Sequence, residues 1–304
     1  QCGAGEQPFL FSLWSRDVHA MGASVACAVS HPLILQRVSV QFSIGDTMLA
    51  YKADWPEAKR RLMAWWDGEV LDRAVVQVTA PRDGVEVCTD WDVWWPPHFL
   101  RSPREVAKRF EGYCRQTFFG GEAFPNLWIN LGPGIMATYL GAVPRFMERT
   151  TWFETPKEWG ELEAVDYDAG NVWWQRTRLL TEAAVMYGLG KYITGTTDLG
   201  GTLDVVASLR GTQRLLTDLI DAPERVKRLT DRINRLWFLY CSELFDIVRS
   251  AQAGTSGWMG IWSPRRWYPL QCDFAAMISP RMFETFVLPH LTEQCDWLDH
   301  AVYH

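Results

Sequence analysis

The stretch "TGTTDLGGTLDVVASLRG" (194–211) decides the fold. Small hydroxyl residues close an apolar run, Asp198 follows, the chain turns on Gly200-Gly201, and a helical pattern opens at about Thr202. A buried strand passing through a glycine turn into a helix is a βα unit, and such units build parallel sheets. Ligands of parallel sheets bind at the carboxyl ends of the strands, where Asp198 stands. Backbone N–H groups at the helix start can hold an anion, and the Asp198 carboxyl can orient or protonate a substrate. Asp204 reads as a helix-start charge.

The same alternation extends in both directions. Short apolar runs with the composition of buried strands occur at "AVVQVTAP" (74–81), "NLWINLGP" (126–133), "KYITGTT" (191–197), "GWMGIW" (257–262) and "LDHAVYH" (298–304), and "TWFET" (151–155) is a sixth candidate. Helix starts lie between them. Asp54 precedes Pro56 in a helix that Gly68 stops, and capping boxes pair Ser102 with Glu105, Thr155 with Glu158, and Asp221 with Glu224. Ser279-Pro280 opens another helix. From Glu224 to Arg249, Val226, Leu229, Ile233, Leu236, Tyr240, Leu244 and Ile247 recur at helical spacing, which predicts one long amphipathic helix.

With 304 residues, 48% hydrophobic and 22% charged, the composition is that of a globular enzyme-sized chain, apart from its 17 Trp. A net charge of −6 argues against nucleic-acid binding. Seven Cys without a C-x-x-C pair form neither a disulfide framework nor a zinc ribbon, so a reducing cytoplasm is the expected compartment. No uncharged apolar run reaches about 18 residues, so no membrane span is expected. Residues 1–47 are poor in charge and lack periodicity, and "AMGASVACAVSHPLIL" (20–35) starts too far in for a signal peptide. The expected division is a non-matching, disordered or non-native leader over 1–47 and a folded domain over 48–304, with Met48 as the natural start.

Several stretches carry candidate chemistry. In "TDWDVWWPPHF" (89–99), Trp94 and Trp95 beside Pro96-Pro97 can wall a flat ligand, plug a barrel mouth or form a homodimer contact. His98 in the same stretch reads as a ligand contact or as a structurally satisfied imidazole. Asn130 follows the second strand, and "GWMGIWSPRRWYPLQCDF" (257–274) brings Trp258, Arg265, Tyr268 and Asp273. Paired arginines can grip a carboxylate or phosphate, or stand solvated in a loop. His304 ends the last strand run, where an acid–base group or metal ligand would sit; with His300 alone it falls short of the three protein ligands of a catalytic zinc.

The blocks "TTDLGGTLDVVASLRGTQRLLTDLIDAPERVKRL", "QCDFAAMISPRMFETFVLPHL" and "LDHAVYH" resemble the uroporphyrinogen decarboxylase superfamily, over about 48–304. The resemblance implies an α/β fold, a (β/α)8 TIM-type barrel, of which five or six strands are present if the chain is truncated at its C-terminus. It implies lyase chemistry in a deep cleft, without a cofactor, on a tetrapyrrole or other large carboxylated small molecule, with Asp198 and Asp273 near the reacting centre. This sequence departs from the decarboxylases in lacking their "RQAGRY" segment, for which "TAPRDG" offers only Arg82. Their catalytic aspartate falls near "GEAFPNLWINLG" (121–132), where Glu122 is the nearest acid. The alternative branch comprises zinc-dependent methyltransferases that work with a corrinoid protein, and there His304 would match the first residue of a His-x-Cys metal motif. A non-catalytic binder with a Trp-lined cleft is the third expectation. Convergence of Arg82, Arg210 and Arg265 on the cleft would favour the decarboxylase.

Overall fold

The computed structural model describes residues 48–304 apart from Cys88 and Thr155, so the expected leader lies outside the described residues. Helix α1 spans Trp55–Trp66, with proline in its first turn. Gly68, at φ 74°, lets the chain leave it. Asp54 precedes this helix without capping it, because the Lys52 ammonium lies 2.9 Å from its carboxylate. That ammonium is 2% exposed and also donates to the carbonyls of Phe119 and Gly121 at 3.0 and 2.6 Å.

Strand β1 is Gln77–Pro81, helix α2 is Pro103–Gln116, and β2, Thr117–Gly121, leaves α2 without a connecting loop. Ser102 caps α2 as expected, accepting from Glu105 N. The β1–β2 ladder is antiparallel, Gln77 opposite Gly121 and Pro81 opposite Thr117. This corrects the parallel reading of 74–81: a chain that turns directly from helix to strand has no crossover in which to restore its direction. Glu122 is fully buried and clamps this ladder, accepting from Arg73 at 2.6 and 2.9 Å and from Val76 N at 2.8 Å.

The chain continues through β3 (Asn126–Trp128), α3 (Met136–Tyr139), β4 (Val143–Phe146), β5 (Thr151–Glu154), α4 (Trp159–Leu162), α5 (Val172–Gly188) and β6 (Ile193–Gly195). The strand expected at 151–155 exists, but β5 pairs antiparallel with β4 as a side hairpin. The capping box there is formed by Glu158 and Glu161, one turn later than expected. After β6 come α6 (Thr202–Arg210), α7 (Thr212–Asp221) and the long α8 (Pro223–Arg249). Ala222 stands at the cap of α8 with no side-chain bond, so the box expected from Asp221 does not form. The apolar stripe of α8 packs as its spacing requires, with Val226, Leu229, Ile233, Leu236, Tyr240 and Leu244 all buried.

Strand β7 is Trp267–Leu270, followed by α9 (Pro280–Phe286), α10 (Leu288–Trp297) and β8 (His300–Tyr303). The strand expected over 257–262 is absent: Gly260 at φ 65° turns the chain, and its N–H bonds back to the Gly257 carbonyl. Residues just before that turn still run beside β6, since Thr196 N donates to Ser256 O at 2.9 Å. Two parallel ladders result, β3 with β6 and β7 with β8, within four two-stranded sheets. Among the described residues the strands do not close into a barrel; the architecture is mixed α/β, with parallel strands joined by helices. No helix among them is long and apolar enough to cross a membrane.

Lys52→Met removes the donor for two buried carbonyls and leaves both without a partner. The expected loss is about 2–4 kcal/mol, read as a lower urea midpoint at unchanged slope.

Candidate functional site

Asp198 follows β6 at its carboxyl end and is 6% exposed. Its Oδ1 accepts from Gly200 N at 2.8 Å, and the Gln271 amide lies 3.3 Å from both carboxylate oxygens. Burial pushes its pKa up to about 6, the two hydrogen bonds oppose that rise, and the carboxylates of Asp204 and Asp273 add to it. Tyr268, from β7, is committed to the same loop, its hydroxyl accepting from Leu199 N at 2.6 Å and donating to Thr197 O at 3.1 Å.

Asp204, in the first turn of α6, is less a helix-start charge than a clasp. Its carboxylate accepts from the backbone N–H of Asp273 and Phe274 at 3.1 and 2.8 Å, which fixes the segment after β7. Asp273 itself is exposed. His304 Nδ1 lies 3.9 Å from Asp273 Oδ1, and its ring stands edge-on to Trp258 with centroids 5.0 Å apart. The backbone N–H of His304 bonds to Leu270 O at 2.8 Å, so the imidazole is carried at the carboxyl end of the β7–β8 ladder.

Asp198, Tyr268, Asp273, His304 and Trp258 thus gather around the carboxyl ends of β6, β7 and β8. Arg265 does not join them: it precedes the amino end of β7, with its N–H on Ser263 Oγ and its side chain exposed. His98 is buried and stacked on Trp91 at 4.7 Å, its Nε2 accepts from Asp92 N at 3.2 Å, and desolvation lowers its pKa, so it holds its own loop together. Trp95 packs edge-on against His98, and Trp94 edge-on against Trp128. Asn130 ties two loops, donating to Val93 O at 2.7 Å and accepting from Gly132 N at 2.9 Å.

A cavity of about 430 Å³ opens among Trp91, Asp92, Asn126, Trp128, Trp258 and Gln77. Trp128 and Asn126 escaped sequence reasoning, although they alternate with Asn130 along one strand and so carried a period-two signal. The indole N–H groups of Trp91, Trp128 and Trp258 and the Asn126 Oδ1 are buried without a hydrogen-bond partner. Among the described residues no three His, Cys, Asp or Glu side chains converge as metal ligands. His304 and Asp273 offer a zinc two donors, and Cys272 is a protonated thiol, pushed up to about 12 by burial.

No protein-family model matches the chain, and no curated protein matches it. Among the solved structures that match is a methyltransferase from Methanosarcina mazei, 15% identical, with a TM-score of 0.55 over 81% of this chain and 69% of that one. The likeness establishes a shared α/β fold.

Because burial raises the Asp198 pKa from 3.8 to about 6, the folded chain keeps its proton through a window in which the unfolded chain has lost it. The stability loss therefore builds up as pH rises from about 4 to about 6 and is at its full size above that. Asp198→Asn is expected to gain nothing over the parent near pH 4 and about 3 kcal/mol by pH 7. Urea titrations at both pH values check this, and a gain independent of pH contradicts it.

Proposed function

We propose that the chain is a group-transfer enzyme of the uroporphyrinogen decarboxylase superfamily, built on that family's barrel plan and working as a methyltransferase on a small methylated molecule held in the tryptophan-walled cavity. The observation that carries this reading is the placement of the arginines. A polycarboxylate decarboxylase needs cations around its substrate, and the cavity lining contains none among the described residues. Arg210 is bound to Asp218 at 2.7 Å and to Glu158 at 3.3 Å, Arg265 stands before the amino end of β7, and Arg82 reaches only the Thr117 carbonyl. The fold shared with a methyltransferase supports the same choice.

In this reading His304 is the general base, placed against the cavity wall by Trp258 and oriented by Asp273. It takes the proton that an acceptor thiol or alcohol loses as its sulfur or oxygen bonds the methyl carbon; the bond from that carbon to the donor's heteroatom breaks, its electron pair leaves with the demethylated donor, and a neutral donor's leaving group receives the proton from His304. Asp198 is a positioning residue, holding Gln271 and hence the segment that carries Asp273. A corrinoid protein is the partner that the family resemblance suggests, and no step is assigned to it.

The test is to incubate the chain with methylated amines, ethers and thioethers and a thiol acceptor, and to follow the methylated thiol by mass spectrometry. His304→Gln is expected to lower the rate about 100-fold with little change in KM. Carbon dioxide release from uroporphyrinogen without methyl transfer reinstates the decarboxylase, and ligand binding without either reaction leaves the non-catalytic binder.

A further inference from the structure

The cavity's lining narrows the chemistry of what it holds. Seven of the residues that line it are aromatic, among them Trp128, Trp258, Tyr113 and Phe124. Among the described residues of the lining, the one that is charged is Asp92. Its Oδ1 accepts from Trp94 N at 2.9 Å, and Arg149 comes within 3.6 Å of its other oxygen. That arginine side chain is 69% exposed, so solvent screens the pair. An anion entering here would meet a carboxylate and aromatic walls, with no cation among the described residues of the lining. An organic cation meets the reverse, since aromatic faces attract ammonium groups and the carboxylate supplies a counter-charge.

We propose that the cavity binds a methylated ammonium compound, its head among the aromatic rings of Trp128 and Trp258 with Asp92 as counter-ion. This rests on the proposed function for its role as methyl donor, while the binding itself stands on the cavity alone.

The experiment titrates the full chain, by tryptophan fluorescence and calorimetry, with choline, tetramethylammonium, the uncharged isostere 3,3-dimethylbutan-1-ol, and benzoate. Choline and tetramethylammonium are each expected to bind at least about tenfold more tightly than the uncharged isostere, with no binding of benzoate. Asp92→Asn is expected to weaken choline about fivefold and leave the isostere unchanged. Trp258→Phe retains binding within about twofold, and Trp258→Leu loses at least about fivefold, with thermal melts confirming that each variant is folded. Equal affinity for choline and its isostere, tighter binding of benzoate, or no binding by either ammonium salt overturns the proposal. Choline binding without methyl transfer from any donor counts against the proposed function and leaves this site standing. Transfer from an uncharged donor without ammonium binding does the opposite.

Discussion

A Cβ on Gly200 would lie 2.6 Å from the Gly134 Cα, and one on Gly201 would lie 2.2 Å from the Gln271 carbonyl oxygen. The loops that follow β3, β6 and β7 therefore meet at backbone distance, and side chains larger than hydrogen cannot enter between them. Gly200, at φ 85°, also needs a conformation that other residues adopt at a cost. From this crossing the rest of the site follows. Ile135 N donates to the Asp198 carbonyl at 3.1 Å, Gly200 N turns back to the Asp198 side chain, and Gln271 closes over it. Asp198 is buried because the backbones around it are packed together.

The crossing also sets the electrostatics. Asp198 and Asp204 are withdrawn from water, and burial raises both, against the pull of backbone N–H donors. Asp204 receives two such donors from the segment after β7, so its charge is spent on architecture. Asp273 is exposed, and its Oδ1 lies 3.9 Å from His304 Nδ1. Three acids of one cluster thus take different tasks according to burial and to what donates to them, although in sequence they differ only by position. The arginines sit elsewhere: Arg73 holds Glu122 under the β1–β2 ladder, and Arg210 ties the α6–α7 corner to Glu158.

The βα unit at 194–211 was legible because each of its signals is local. A glycine turn, a helix start and an apolar run are written in neighbouring residues, and β6 and α6 formed where those signals stood. Ladder direction is not local. The run at 74–81 reads like any parallel strand, and its antiparallel partner was set by the absence of a loop between α2 and β2. The run at 257–262 has strand composition, but two glycines within four residues let it turn instead. Among site candidates, His98 and Asn130 looked available because sequence does not show that their ring and amide atoms are used by Asp92, Val93 and Gly132. Arg265 and Asp273 lie eight positions apart but at opposite ends of β7, a separation visible once the strand's limits are known.

The tryptophans divide by how their N–H groups are satisfied. Three of the packed interior have partners: Trp174 donates to the Tyr167 hydroxyl, Trp262 to Ala253 O, and Trp267 to Thr255 O, at 3.2, 2.9 and 3.1 Å. Trp66, near the amino end of β8, donates to Trp262 O at 3.0 Å and stacks on His300. Trp91, Trp128 and Trp258 break this pattern, and all three line the one cavity. Trp258 joins that cavity to His304 across one ring contact, so the carboxyl end of the β7–β8 ladder stands at the cavity wall.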